Sequence, residues 1–105
     1  MRRRSGSKRL AQKAHFQKRL VERVGIMLDS AALSIIIDNI KEGRAVHLYD
    51  QSNRVKIKGV KYSDLWLVVV YDRLRKSLVT VLPHDSEFYS ILKQELSQKG
   101  NGFLL

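Results

Sequence analysis

The sequence predicts an α+β domain in which two N-terminal helices pack on a roughly four-stranded antiparallel sheet and a C-terminal helix follows. Three observations point there. Apolar residues recur at helical spacing up to about Gly43, the stretch from Ala45 to Leu82 changes to alternation and short dense apolar runs, and helical spacing returns after Pro83. A chain of 105 residues suffices for one domain, and 44% apolar content with one proline and six glycines suits a packed globule. The expected organisation is a flexible basic arm over 1–7 and a single domain over 8–105, with the helices on one side of the sheet.

In order along the chain, Met1 to Ser7 is Arg-rich and then Ser-Gly-Ser, with nothing to bury. From about Lys8 to Val24, Leu10, Ala14, Leu20, Val21 and Val24 form a helical stripe with Phe16 at its edge, and Gly25 supplies the stop. A second helix starts at Asp29 or Ser30 as cap, repeats Leu33, Ile36, Ile37 and Ile40 at i, i+3, i+4, i+7, and ends at Gly43. Ala45 to Tyr49 is a short strand followed by Asp50-Gln-Ser-Asn53 turn chemistry. Arg54 to Lys58 alternates, so that Val55 and Ile57 face the core while Arg54, Lys56 and Lys58 share the other face. Gly59 breaks the alternation and suggests a bulge. Leu65 to Tyr71 and Ser77 to Leu82 are denser strands, expected in the middle of the sheet and joined by a hairpin with a basic tip. Asp85 or Ser86 caps a third helix with Phe88, Ile91, Leu92 and Leu96 on its apolar face, and the apolar ending Phe103 to Leu105 is expected to dock.

The absence of cysteine excludes a disulfide scaffold and a Cys-based zinc site and fits a reducing compartment. No apolar run approaches the ~20 residues of a membrane helix, and the first arginines lead into more cations rather than a secretory apolar core. A soluble cytoplasmic protein without membrane contact is expected. The net charge is +10, and residues 1 to 23 supply +8 of it, with nine basic side chains against Glu22 alone. Such a concentrated field attracts polyanions, nucleic acid foremost. Arg2, Arg3, Arg4, Lys8, Arg9, Lys18 and Arg23, with Lys56 and Lys58 from the sheet, are the candidate nucleic-acid ligands. Along a strand the Arg54, Lys56 and Lys58 cations repeat about every 6.6 Å, close to phosphate spacing in an extended strand.

Glycine-rich phosphate loops, nucleophile elbows and two-metal carboxylate pairs are absent from the sequence. The three histidines lack metal-site spacing, so neither metal nor cofactor is expected. In the first helix His15 and Arg19 are i, i+4 neighbours and Glu22 can pair with Arg19. An imidazole among guanidinium groups suits RNA cleavage through the 2′-hydroxyl, which needs proton transfer and positive charge around the phosphorus but no protein nucleophile. A solvated helix face would carry the same residues. His47, between Val46 and Leu48, reads as structural; His84 follows Pro83 at a strand end, where loops often carry sites.

The segment H15-F-Q-K-R19-L-V-E22-R23-V-G25-I26, a second helix ending in E42-G43, R54-V-K-I and V68-V-V-Y-D72 with S77-L-V-T80-V-L-P83 together resemble the small-toxin ribonuclease superfamily that groups barnase, colicin D and RelE. The likeness spans about Ala14 to Pro83. It implies a toxin-like or phage-encoded, metal-independent endoribonuclease acting on tRNA or ribosome-associated RNA. By position it implies His15 as general acid or base, Arg19 and Arg54 as phosphate ligands and Thr80 as a polar contact. An antitoxin, immunity protein or host protein would be a natural partner. Two other classes fit the same residues: a non-catalytic RNA- or nucleoprotein-binding accessory protein, and an inhibitor that docks on an acidic host protein through Phe103 to Leu105 or the third helix.

Overall fold

The computed structural model describes residues 3–98, with side chains from residue 13 onward. The helices are α1 (Arg3–Val24), α2 (Ser30–Lys41) and α3 (Glu87–Gln98). Between α2 and α3 run β1 (Val46–Asp50), β2 (Val55–Tyr62), β3 (Leu65–Asp72) and β4 (Ser77–Val81), an antiparallel sheet in the order β1-β2-β3-β4. This is the α+β arrangement the sequence predicts. The docking expected of Phe103 to Leu105 lies outside the described residues.

α1 begins within the stretch read as an arm, since Arg3 to Ser7 continue its helical turns. Its buried stripe is also rotated from the expected one. Phe16 (1% exposed) and Leu20 are its core residues, whereas Ala14 and Val21 face solvent. The large ring of Phe16 buries more apolar area than either, and that decides the orientation. Gly25, at φ 80°, ends the helix by donating to the carbonyls of Leu20 and Val21, both at 3.0 Å. Asp29 rather than Ser30 caps α2, its carboxylate accepting from the Ala32 N–H at 2.9 Å. At α3 the Ser86 hydroxyl accepts from the Phe88 N–H.

The helices do not share one side of the sheet. Leu67, Val69 and Tyr71 of β3, with Val60, Leu78 and Val81, pack against Phe16, Leu20, Leu33, Ile36 and Ile40 of α1 and α2. Val68 and Val70, with Ile57, pack against Tyr89, Leu92 and Leu96 of α3. A strand that is apolar at every position from Leu65 to Tyr71 can be satisfied only with both faces covered, so three layers result.

The sheet differs from the expected one in two further respects. β4 is an edge strand, not a central one, and α1 covers it: Arg23 Nη1 donates to the Val81 carbonyl at 3.0 Å. Gly59 is in regular register with Val46 and Val68; the irregularities fall between His47 and Tyr49 and between Val70 and Tyr71. A Cβ on Gly59 would come within 2.5 Å of Leu92 Cδ1, so the glycine serves close approach of α3. Beyond the end of the β3–β4 ladder, the Val68 N–H donates to the Tyr89 hydroxyl at 3.2 Å, which ties α3 to the central strand.

Candidate functional site

α2 stops at Lys41, before it has covered the whole β2–β3 face beneath it. Alternation along β2 sends Lys56 and Lys58 to this face, opposite Ile57. Their neighbour across the ladder is Tyr71, paired with Lys56. Together with Lys41 and Ile40 at the helix end, and Arg73 and Lys76 from the β3–β4 hairpin, they line a cleft of about 480 Å³. Five cations therefore surround a floor made by the Tyr71 ring and the Ile40 side chain.

The electrostatics of the cleft are one-sided. Asp50 is the acid paired with one of its cations: its Oδ1 lies 3.0 Å from Lys56 Nζ and 3.0 Å from His47 Nε2. The Lys56 hydrogen bond, aided by the charges of Lys56, His47 and Lys58, holds the Asp50 carboxyl below its usual value. Among the described residues Lys41, Lys58, Arg73 and Lys76 form no ion pair with an acid. Burial pushes the Lys58 ammonium below the ordinary lysine value, with Asp50 pulling the other way and Lys56 adding to the fall. Burial and the charge of Asp72 raise the Tyr71 phenol. A partly desolvated ammonium short of counter-charge is stabilised by an arriving anion, and phosphate is the natural fit for several cations that converge from different elements.

The residues nominated from the sequence divide between this cleft and other places. Lys56 and Lys58 line it. Arg54 does not: its Nε donates to both oxygens of Asp72 at 3.0 Å, and Asp72 also accepts from the Leu74 and Arg75 N–H groups, so the pair closes the β3–β4 turn. Thr80 meets Arg23, whose Nη1 lies 3.5 Å from its Oγ1, in the α1–β4 tether. Arg19 pairs with Glu22 at 2.9 Å, as the spacing predicts. His15 and Lys18 are exposed on α1, and His15 is not among the side chains lining the cleft. The side chains of Arg2, Arg3, Arg4, Lys8 and Arg9 lie outside the described residues. His84 packs edge-on against the Tyr89 ring, with centroids 5.1 Å apart.

Lys41, Arg73, Lys76 and Tyr71 were not nominated, although the basic hairpin tip was visible. The missing signal was tertiary: only the docking of α2 across β2 brings its last lysine to the hairpin. The sequence reads His47 as structural. Its strand neighbour is Lys58, and its Asp50 partner is shared with Lys56, so it borders the cleft. Among the described residues no group of three His, Asp or Glu side chains is placed to hold a metal ion, and no helix is long and apolar enough to cross a membrane. Comparison with protein-family models, with curated proteins and with solved structures finds no match.

Proposed function

We propose that the protein is an RNA-binding module that grips the phosphate backbone in the cleft between the end of α2, β2 and the β3–β4 hairpin. The observation that carries this reading is the convergence of Lys41, Lys56, Lys58, Arg73 and Lys76 in one cleft, where only Lys56 is paired with an acid, Asp50, among the described residues. Such a site holds a polyanion through released counterions and keeps no preference for sequence. The basic segment 1–23 adds long-range attraction and brings the RNA to the cleft.

A second reading, cleavage through the 2′-hydroxyl as the toxin resemblance implies, is favoured by the His47–Asp50 pair at 3.0 Å beside the same cleft. There an imidazole would take the 2′-hydroxyl proton as the 2′-oxygen attacks phosphorus. The bond to the 5′-oxygen breaks, and that oxygen leaves with a proton supplied by an ammonium of the cleft. His15, exposed on α1, is the other candidate for the proton transfer.

Incubation of the protein with labelled RNA in chelator tests both readings. Retarded RNA with intact ends, and loss of retardation in Lys56→Ala/Lys58→Ala, is the outcome the binding reading requires. Ends carrying 2′,3′-cyclic phosphate, lost in His47→Ala or in His15→Ala, would replace it with the enzymatic reading and identify the acid or base. RNA neither bound nor cut would remove both.

A further inference from the structure

A second concavity adjoins the lysine cleft and shares Lys76 with it. It lies between α1, α2 and the β3–β4 hairpin, with a volume of about 410 Å³. Its floor is apolar, made by Phe16, Leu33, Ile37 and Leu78, and its rim carries Lys13, Arg75 and Lys76. The Ser34 and Ser77 hydroxyls complete the lining. Among the described residues no carboxylate lines either concavity.

Resting on the RNA-binding reading, we infer that this groove seats an unpaired base of single-stranded RNA, with Lys76 on the phosphate that joins the groove to the cleft. The two concavities and a polynucleotide have complementary surfaces. A polynucleotide alternates a flat apolar base, edged with hydrogen-bonding groups, with an anionic link. The two concavities repeat that alternation in reverse, cations and then an apolar floor with hydroxyls beside it. The volume is within the range of about 300–1,000 Å³ usual for small-molecule sites and leaves room for a base and its sugar. A base in a duplex has both faces stacked and its pairing edge occupied, so only a splayed, unpaired nucleotide can enter. An acidic peptide could satisfy the cationic rim, but the cations continue past Lys76 into a cleft where Lys41, Lys56, Lys58 and Arg73 follow it. An unbroken run of charge suits a phosphodiester chain.

Three labelled probes of equal length separate the parts of this claim: a single-stranded oligoribonucleotide, the same backbone with abasic residues at its centre, and a blunt RNA duplex. By fluorescence anisotropy the base-bearing single strand binds about tenfold more tightly than the abasic strand, and more tightly than the duplex. Ser34 is exposed on α2, and Ser34→Leu fills the groove from its wall without replacing a core residue. In that variant the base-dependent gain falls to about twofold or less, while affinity for the abasic strand is retained. Equal affinity of the wild type for base-bearing and abasic strands, or duplex bound as tightly as single strand, would overturn the groove assignment and leave backbone binding standing. Binding of none of the probes would remove the underlying RNA reading as well. The wild-type comparison decides the matter even if Ser34→Leu does not fold. Equal RNA affinities together with binding of an acidic, leucine-containing peptide that Ser34→Leu abolishes would assign the groove to a protein partner instead.

Discussion

Asp72 is the buried charged side chain of the described residues, 6% exposed, and three donors converge on it. Burial pushes its carboxyl upward, but the Arg54 guanidinium and the Leu74 and Arg75 N–H groups outweigh that and hold it below the usual carboxylate value. A folded-state value below the unfolded one means that the charged carboxylate stabilises the fold above about pH 4, the unfolded value, and that this contribution disappears as pH falls through the depressed one. Asp72→Asn therefore lowers the melting temperature by a few degrees at pH 7, and the gap to wild type closes in melts taken at progressively lower pH. A gap that is constant with pH would mean that the ion pair contributes nothing. From the sequence Arg54 was one of three like cations on a strand face. What separates it from Lys56 and Lys58 is the turn: Arg54 sits beside the hairpin acid, whereas the two lysines sit under the end of α2. Residue type and spacing could not carry that distinction, because it depends on which strand pairs with which.

At the level of elements, all three helices and four strands were legible, because each is a continuous run of one period bounded by turn or cap residues. Which faces they bury was less so. Both clusters of core residues were implied by the unbroken apolar run of β3, yet a two-layer reading has no use for a second face. Gly59 shows the same limit. A lone glycine in an alternating strand suggests a bulge or a close approach, and only the seating of Leu92 over it chooses the second. Since Leu92 is fully buried, it cannot swing aside freely. Gly59→Ala is expected to cost about 1–3 kcal/mol by overpacking, and Leu92→Ala about 2–5 kcal/mol by leaving a cavity. The two changes relieve one another, so denaturant unfolding of the double variant should show a loss smaller than the sum of the single losses. Strict additivity would place α3 elsewhere.

Over the whole molecule the charge distribution looks different in three dimensions than along the chain. Residues 24–105 contribute only +2 of the +10, and from composition they were the neutral part. Folding gathers cations of that part, from α2, β2 and the hairpin, into one cleft, with Asp50 paired to Lys56 beside them. A net count hides such sorting, which is why the basic N-terminal segment dominated the sequence reading. The four groups nominated as catalytic lie in three places: His15 and Arg19 on α1, Arg54 just before β2 and Thr80 on β4. The groups that converge are the cations Lys41, Lys56, Lys58, Arg73 and Lys76, and the proposed polyanion affinity rests on that convergence.

The most direct test of that claim is the salt dependence of binding to a single-stranded oligoribonucleotide. Lys41→Ala and Lys58→Ala each remove one cleft cation. Lys76→Gly removes another without disturbing the turn, because Lys76 sits at φ 54°, a conformation that glycine adopts at no cost. Each phosphate neutralised in a single strand contributes about −0.7 to the slope of log K against log salt concentration. The triple variant is predicted to fold, to bind more weakly and to show a slope shallower by about 2, while removal of Arg2 to Arg4 leaves most of the wild-type slope in place. A triple variant with wild-type affinity and slope would contradict the account.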